Sequence, residues 1–219
     1  MLPLSVQAAM AAIEKICPEA KNLLLIPENH TRNSFYLTNV RQLVRIFSSA
    51  GLNVRLGSLD PPTRPLNRRE WLKRAGRALA AADAAGEGAV LLMLDLDHFK
   101  RINDEHGHPA GDEVLKLAGE VLRGELRASD LLGRYGGEEF CLLLRQCDPE
   151  AFGRLDARLH QALRRRCESS LGFAVDFSAG AVRVQAGETL AEAIKRADDE
   201  LYRAKHAGRG RTLGAADVL

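Results

Sequence analysis

Two adjacent glutamates follow a pair of glycines in the stretch RYGGEEF (134–140). The glycines predict the tip of a β-hairpin, because they allow the tight backbone of a turn. A surface turn needs only one polar residue of almost any kind. Glu138 and Glu139 therefore either decorate an ordinary turn or hold a positively charged group.

Two more carboxylates stand in DLDHFKRIND (95–104), where the apolar run 89–95 ends. The run predicts a buried strand, and a period of two places Asp95 and Asp97 on one side of it. Carboxylates at a strand end suit a hard cation such as Mg²⁺, although a capped strand-to-helix turn explains the same aspartates. If this strand and the hairpin are neighbours, their carboxylates repel unless a cation compensates them. Mg²⁺ typically arrives with a phosphorylated substrate, so a nucleoside triphosphate is the expected partner.

Asn103 and Asp112 are candidates to recognise a base. A carboxylate can accept from the ring N–H and the exocyclic amine of guanine together, a pair that adenine does not present. The sequence equally fits Asp112 as the N-cap of the helix that follows. Lys100, Lys205 and Arg209 are candidates to meet phosphate oxygens, although the helix dipole favours basic residues near a helix C-terminus without any ligand.

Arg127 and Asp130, in the stretch RASD before the hairpin, form either an ordinary surface ion pair or part of a second anion site. In the second case the arginine fork binds a phosphate or a guanine edge. His106 and His108 flank Gly107 in a polar stretch, and we interpret them as loop residues.

The composition is that of an ordinary globular protein. Of its 219 residues 46% are hydrophobic and 27% charged, and a net charge of +2 provides no global field for nucleic acid or an anionic membrane. The apolar runs are too short to span a membrane and the N-terminus lacks the basic region of a signal peptide, so a cytoplasmic location is expected. The four cysteines form no CxxC pair, which predicts buried thiols in a reducing compartment: Cys17, Cys141, Cys147 and Cys167.

The proline-rich stretch LDPPTRPLN (59–67) predicts a boundary between two regions. Residues 1–59 are predicted to form a small α/β module, with helices at 4–15 and about 35–49 and strands in LLLIP and LNVRLG. Beyond the boundary, apolar spacing predicts helices at 68–85, about 112–127, around Phe152–Leu163, and from a capping box at Thr189 and Glu192 to Gly208. Strands are predicted in AVLLMLD, LLGRY, EEFCLLL and FAVDFSAGAVRV.

The order from residue 89 is therefore βαββαβ plus a final helix. It predicts an α/β (α+β) fold with a central mixed or antiparallel sheet and helices on one or both faces.

From about Asp60 to Thr212 the chain resembles the GGDEF domain, the catalytic domain of diguanylate cyclases. The matching motifs occur in the family's order and spacing: DLDHFKRIND, HGHPAGD, RASD, RYGGEEF and ADDELYRAKHAGRGR. The resemblance implies a GGDEF catalytic domain with the sheet of nucleotidyl cyclases at 60–212, followed by a short tail at 213–219.

The resemblance also implies a role for each matching position. Asp95, the backbone carbonyl of Leu96 and Glu138 would bind Mg²⁺, with Mn²⁺ as an alternative ion. Glu139 would lie near the attacking hydroxyl, as a general base, a ligand of a second metal or an orienting group. The other positions would bind substrate: guanine by Asn103 and Asp112, triphosphate by Lys100, Lys205 and Arg209, the nucleotide against the backbone at Gly136 and Gly137, with Phe99 and His108 also in the site.

In this family two domains meet head to head, each with one GTP. Each 3′-hydroxyl attacks the α-phosphate of the partner's GTP, which gives cyclic di-GMP and two pyrophosphates, so a homodimer is expected to be required for turnover. RASD matches the family's inhibitory product site, and Arg127 and Asp130 would bind cyclic di-GMP there.

Two regions depart from the family pattern or lie outside it. The opening DPPTRPLNRR changes the apolar residues of the usual motif, which concerns activation more than catalysis, and His106 replaces a commoner aromatic residue. The stretch LLLIPENHTRNSFYLTNVRQLV faintly resembles part of a proteobacterial glutamate–cysteine ligase family. We interpret residues 1–59 as a regulatory or dimerising module, through which a regulatory protein would act, and not as a ligase.

Three functions are compatible with these residues. The first is an active diguanylate cyclase, and the second is an idle GGDEF receptor that binds GTP or cyclic di-GMP. The third is a cyclase that makes another dinucleotide. The intact GGEEF motif with its accompanying acidic and basic residues argues against the second, and Asp112, suited to guanine, argues against the third.

Overall fold

The computed structural model describes residues 22–25, 53–56 and 65–214. The chain divides into two compact units, residues 1–57 and 58–219. In the first unit, β1 (Asn22–Leu25) pairs in parallel with β2 (Asn53–Leu56), where the sequence predicted strands. The two helices predicted for this unit lie outside the described residues.

The second unit is built on a six-stranded mixed sheet flanked by helices. Its strands are β3 (Leu66–Asn67), β4 (Ala89–Leu96), β5 (Leu131–Arg134), β6 (Glu139–Arg145), β7 (Phe177–Arg183) and β8 (Thr212–Gly214). The helices are α1 (Arg68–Ala84), α2 (Phe99–His106), α3 (His108–Glu125), α4 (Pro149–Leu171) and α5 (Leu190–His206).

The order across the sheet is β3–β5–β6–β4–β7–β8. The central strand β4 pairs antiparallel with β6 on one side and with β7 on the other, and β5 pairs antiparallel with β6. The short edge strands β3 and β8 pair in parallel with β5 and β7. Since β4 has neighbours on both sides, its carboxyl end lies at the middle of one edge of the sheet.

The two faces of the sheet bury two separate apolar cores. Alternate residues of β4 and β6 divide between them, as the period of two in a strand requires. On one face Leu92, Leu94 and Phe140 pack with α3 and α4. On the other, Leu91 and Met93 pack with α1 and α5. Each fully buried side chain of this size contributes about 1.5–3 kcal/mol, so helices on both faces hold β4 and β6 firmly.

The mixed α/β fold predicted from the sequence is confirmed. The capping box of α5 is present: the Glu192 N–H donates to Thr189 Oγ1 at 3.3 Å, and the Thr189 N–H donates to Glu192 Oε2 at 2.9 Å. The helix ends at His206, two residues before the predicted Gly208.

Other element predictions were wrong. The helix α2 was not predicted, because it is short, has only Ile102 buried, and begins after His98 without a side-chain cap. The helix α3 begins at His108 rather than near 112, because Pro109 suits a first helical turn. In the stretch 173–184 only β7 is a strand. The edge strands β3 and β8 were not predicted, since two or three residues carry too little pattern.

Three cysteines, Cys141, Cys147 and Cys167, are free, buried thiols, as predicted. Burial raises the pKa of each, that of Cys167 to about 11, which keeps the thiols protonated and unreactive. Cys17 lies outside the described residues. Of the helices in the described part of the chain, none has the length and apolarity needed to cross a lipid bilayer.

Candidate active site

The register of the sheet brings the two carboxylate clusters together. Asp95, near the end of β4, pairs directly with Glu139, the first residue of β6. Directly opposed residues of an antiparallel pair project to the same face, so these carboxylates are neighbours. One residue further on, the Leu96 N–H donates to the Glu138 carbonyl at 3.2 Å. The strand and the hairpin are therefore neighbours, which is the condition on which the convergence of their carboxylates depended.

Asp95 and Glu139 are carboxylates in an environment that disfavours their charge. Burial is the largest influence on each and raises both pKa values above the ordinary range, and for Glu139 the nearby charge of Asp95 adds to the effect. Lys205, in the last turn of α5, acts in the opposite direction. Its Nζ lies 2.9 Å from Asp95 Oδ2, which partly compensates the negative charge.

The Glu139 side chain occupies the space beside the first glycine of the hairpin. A Cβ added at Gly136 would overlap the Glu139 carboxylate and lie 3.1 Å from its Cδ, whereas a Cβ at Gly137 would meet nothing within 4 Å. Gly136 therefore makes room for a carboxylate, a role that was not predicted. At Gly137 the space beside the Cα is open. That a nucleotide approaches the backbone there, as the resemblance implies, stays a prediction.

Arg134 and Arg68 hold the hairpin and were not predicted as site residues. The buried Arg134 donates from Nε and Nη2 to the Gly137 carbonyl, at 3.0 and 2.6 Å. Arg68, at the start of α1, lies over the Tyr135 ring at 4.3 Å and donates to its hydroxyl at 3.2 Å. The only sequence signal for Arg134 is a cation inside an otherwise apolar strand.

The oxygen atoms at this edge suit a hard cation. They are the carboxylates of Asp95 and Glu138 and the Leu96 carbonyl, together with Glu139 beside them. Side chains alone do not complete a metal site, since the described residues contain no group of three or more histidine, cysteine, aspartate or glutamate side chains arranged to hold an ion. Mg²⁺ in proteins typically keeps several waters or phosphate oxygens among its ligands. Burial and mutual repulsion disfavour the ionised carboxylates, so a bound cation would stabilise them. The donor set therefore fits Mg²⁺.

Asn103 and Asp112 meet at the junction of α2 and α3. A Cβ at Gly111 would overlap the Asn103 side chain, so Asn103 lies against the residue before Asp112. Asp112 is exposed. Because α3 begins at His108, Asp112 lies in its second turn, and the alternative that it is the N-cap is wrong.

The two histidines near this junction are helix residues, so their interpretation as loop residues was wrong. Gly107, with a φ of 82°, separates the two helices. His106 ends α2 and stacks on Phe173 with ring centroids 4.3 Å apart, and His108 begins α3 and is exposed. Early in α2, Phe99 packs against the core and the next residue, Lys100, is exposed.

Arg209 lies in the turn after α5, four residues beyond Lys205. Its charge acts on Asp95 in the same direction as that of Lys205, which places both basic residues near the carboxylates. Asp97 does not join Asp95 as a free carboxylate: its Oδ1 accepts from Ser178 Oγ at 2.7 Å and its Oδ2 from the Gly210 N–H at 2.9 Å. Both Asp97 oxygens are therefore engaged within the protein, and metal binding stays a prediction for Asp95.

The family model described as diguanylate cyclase, GGDEF domain, matches residues 58–211. The chain belongs to this family. The GGDEF domain is 41% identical over 154 residues to the diguanylate cyclase DgcP of Pseudomonas aeruginosa, a match that covers 69% of this chain and 23% of DgcP. The chain spans less than half the length of the curated relatives it matches.

Solved structures of other GGDEF proteins show the same fold. The GGDEF domain of DgcB from Caulobacter crescentus, in complex with c-di-GMP, has a TM-score of 0.65 and 29% identity, and the match covers 73% of this chain and 96% of that one. The diguanylate cyclase SiaD from Pseudomonas aeruginosa, in complex with its activator SiaC, has a TM-score of 0.67 and 30% identity. That match covers 96% of this chain and 75% of SiaD.

A second family model, described as glutamate-cysteine ligase, matches residues 1–91. This match is longer than the resemblance seen in the sequence and extends through α1 of the GGDEF domain to the start of β4.

The RASD stretch of the GGDEF domain is not a surface ion pair. Asp130 is buried, and its carboxylate accepts from the backbone N–H groups of Arg127, at 3.0 Å, and Arg145, at 3.3 Å. The Arg127 residue is exposed. A cavity of about 130 Å³ lies beside the stretch, and basic residues dominate its polar lining: Arg127, Arg145, Arg154 and Arg158, with Asp130 and Glu125.

Proposed function

We propose that this protein is a diguanylate cyclase, which condenses two GTP into cyclic di-GMP and releases two pyrophosphates. The observation that carries the proposal is the direct pairing of Asp95 with Glu139 at the sheet edge. Beside this pair, Lys205 Nζ lies 2.9 Å from Asp95 Oδ2. Transfer of a nucleotidyl group needs alignment, neutralised phosphate oxygens and a polarised nucleophile more than covalent help from the protein.

Binding and orientation of GTP are assigned to residues on three helices and two turns. Asn103 and Asp112, at the α2–α3 junction, recognise the guanine edge. Lys100, Lys205 and Arg209 hold the triphosphate, and Lys205 exchanges its carboxylate partner Asp95 for a phosphate oxygen. Phe99, His108 and the glycine pair at 136–137 complete the substrate site.

The metal site consists of Asp95, the Leu96 carbonyl and Glu138. Bound Mg²⁺, or Mn²⁺ in its place, supplies positive charge that neutralises the phosphate oxygens. Lys205 pairs with Asp95 in this structure, and it would be able to bind the triphosphate instead if Asp95 held the ion.

Glu139 is assigned to the nucleophile. Its raised pKa makes it a better proton acceptor than an ordinary exposed glutamate, and its side chain stands beside the metal-binding carboxylate. Glu139 accepts a hydrogen bond or the proton from the 3′-hydroxyl as the 3′-oxygen bonds to the α-phosphorus of the other GTP and pyrophosphate leaves. Repetition in the opposite direction closes the ring, so two copies of the domain must face one another.

The test is turnover of GTP by the purified chain with Mg²⁺, followed as pyrophosphate and cyclic di-GMP. We expect both products from the wild type and a loss of at least about 100-fold in Glu139→Gln, the usual scale for a general base. Absence of product at every protein concentration, with tight binding of cyclic di-GMP, would support an idle receptor instead. Full activity of Glu139→Gln would remove the role assigned to that residue.

Product inhibition is proposed at the RASD stretch. The cavity beside Asp130 offers several arginines for a doubly charged dinucleotide, and the buried Nε of Arg145 has no hydrogen-bond partner among residues 65–214. Arg127→Ala should raise the concentration of cyclic di-GMP that halves the activity by about tenfold or more, the scale of one lost charged hydrogen bond, while initial turnover is kept. Identical inhibition curves for variant and wild type would contradict this assignment.

Residues 1–59 are proposed to be a regulatory or dimerising module that acts in the cytoplasm, with a protein partner. Support comes from the separate compact unit at 1–57. A chain that starts near Asp60 should show weaker self-association and lower specific activity at dilute concentration, because the module raises the local concentration of catalytic domains. Equal oligomeric state and equal activity of the two chains would overturn this proposal.

A further inference from the structure

The turn after α5 holds Arg209 in a backbone conformation that side chains rarely adopt. Gly208, Arg209 and Gly210 all have positive φ, at 104°, 62° and 57°. Glycine adopts this region freely, but Arg209 does so at a cost. Such a conformation persists only where the surroundings fix it. On the helix side it is fixed by the Arg209 N–H, which donates to the Ala204 carbonyl at 3.1 Å.

Asp97 fixes the other side of the turn. Its Oδ2 accepts from the Gly210 N–H at 2.9 Å, and its Oδ1 accepts from Ser178 Oγ at 2.7 Å. The backbone N–H of Asp97 donates to the Asp176 carbonyl at 2.9 Å. Asp97 is only 8% exposed, so these contacts are shielded from water. One side chain thus joins the end of β4, the start of β7 and the turn that carries Arg209.

A second carboxylate crowds the space that a side chain at Gly210 would occupy. A Cβ added there would lie 3.1 Å from Asp176 Oδ2 and 3.6 Å from Arg164 Nη2. Asp176 is itself held by His160 Nδ1 at 2.6 Å and by the Arg164 guanidinium. Asp176, His160 and Arg164 therefore form a polar cluster beside Gly210. Asp97 holds the same glycine through its backbone N–H.

We infer that Asp97 is a positioning residue, whose carboxylate holds the 208–210 turn so that Arg209 points its charge into the site. The inference rests on the proposed function, which assigns Arg209 to the triphosphate. Asp97 acts through a hydrogen bond to the Gly210 N–H and does not touch substrate or metal.

Replacement of Asp97 by asparagine distinguishes this positioning role from that of a metal ligand. In Asp97→Asn the side-chain oxygen can still accept from the Gly210 N–H, while the amide nitrogen donates to Ser178 Oγ. If Asp97 is a positioning residue, the turn should therefore stay in place in Asp97→Asn and lose its support in Asp97→Ala. A metal ligand or a general electrostatic group would lose its effect in both.

The experiment compares binding of two probes to the full-length chain, with Mg²⁺ present: a GTP analogue with an α,β-methylene bridge, and guanosine. We expect Asp97→Ala to weaken binding of the analogue about fivefold to tenfold, since one charged contact is misplaced, and to leave guanosine binding unchanged. Asp97→Asn should stay within about twofold of the wild type for both probes. In an Arg209→Ala background, Asp97→Ala should cause no further loss, because the two changes remove one contact.

A matched control is available at the opposite end of β7. Asp83 also accepts from a backbone N–H of a positive-φ glycine, Gly187, at 3.2 Å. Asp83→Ala should therefore bind both probes like the wild type. Gly210→Ala disturbs the same turn without touching Asp97, and it should reproduce the selective loss for the analogue if Asp97→Ala fails to fold.

Several outcomes would overturn the inference: equal losses for guanosine and the analogue, multiplied losses in the Arg209→Ala background, equal losses in the Asn and Ala variants, or wild-type binding by both Asp97→Ala and Gly210→Ala. The proposed cyclase activity is decided separately by product formation. A chain that binds the analogue through Arg209 but makes no cyclic di-GMP would refute the proposed function and leave the inference standing.

Discussion

At the scale of single residues, the candidate site gives up stability for its chemistry. Asp95 and Glu139 are brought into register in a partly buried position, where burial raises the pKa of both. Ionised carboxylates in such a place oppose folding, and Lys205 compensates only in part. Functional sites often keep such unfavourable charges because the chemistry needs them.

The first prediction concerns the charge of Glu139. Replacement by glutamine keeps the shape and removes the repulsion from Asp95. Glu139→Gln should therefore lower turnover at least about 100-fold yet unfold at a temperature about 2–4 °C higher at neutral pH, for a gain of about 1 kcal/mol. Thermal unfolding followed by circular dichroism measures this. Glu168→Gln, at an exposed position on α4, is the control and should leave the unfolding temperature unchanged.

The same charge makes a prediction about pH. Because the folded-state pKa of Glu139 lies above the unfolded one, the penalty is complete above the folded pKa. It disappears as the pH falls below the unfolded value. The difference in unfolding temperature between Glu139→Gln and the wild type should therefore shrink in acid. A difference that grew as the pH fell would show that folding lowers the pKa of Glu139 and does not raise it.

At the scale of elements, the position of Lys205 depends on how closely α5 lies on the sheet. Gly180, in the middle of β7, makes the contact possible: a Cβ there would overlap the backbone of Ala197 and Leu201 and lie 2.9 Å from the Glu200 carbonyl carbon. Backbone atoms within a helix cannot move aside as a flexible side chain can. The contact between β7 and α5 therefore fixes the helix whose last turn carries Lys205.

Gly180→Ala should accordingly destabilise the domain by about 2–3 kcal/mol through overpacking, and it should reduce turnover by displacing α5. Denaturant unfolding and a GTP turnover assay measure the two effects. Gly153→Ala is the matched control: this glycine lies in α4 with nothing within 4 Å of an added Cβ, and alanine there should stabilise by about 0.5–1 kcal/mol. Similar stability of the two variants would contradict the close contact between β7 and α5.

At the scale of the whole molecule, the proposed function assigns to one copy of the chain the groups for one GTP. The proposed reaction joins two GTP molecules in both directions, which a single site cannot do. The rate should therefore follow the concentration of paired domains, and any module that raises the local concentration of a second copy acts as an activator.

Specific activity should thus rise with protein concentration in the range where the chain is a monomer, and level off once dimers predominate. Turnover measured over a dilution series, with sedimentation in parallel to give the fraction of dimer, checks this. Constant specific activity in samples that sediment as monomers would exclude the two-copy mechanism.

The sequence by itself determined the family, the type of fold and the identity of the acidic and basic residues at the candidate site. RYGGEEF and DLDHFKRIND carried that information because their chemistry depends on residue types at fixed short spacing. Apolar periodicity placed the long strands and helices, and the capping box placed the start of α5. Short elements with little apolar pattern, such as α2 and the edge strands, were beyond these signals.

Only the tertiary structure decided which residues meet. The pairing of Asp95 with Glu139 depends on strand register, and the burial of Asp130 depends on bonds to Arg145, fifteen residues away. The role of Asp97 depends on Gly210, 113 residues away in the chain. A local pattern describes which face a residue occupies, but contacts between distant segments are set by how the sheet and helices pack. That is why Asp97 resembled a second metal ligand in the sequence and is, in the folded chain, the support of a turn.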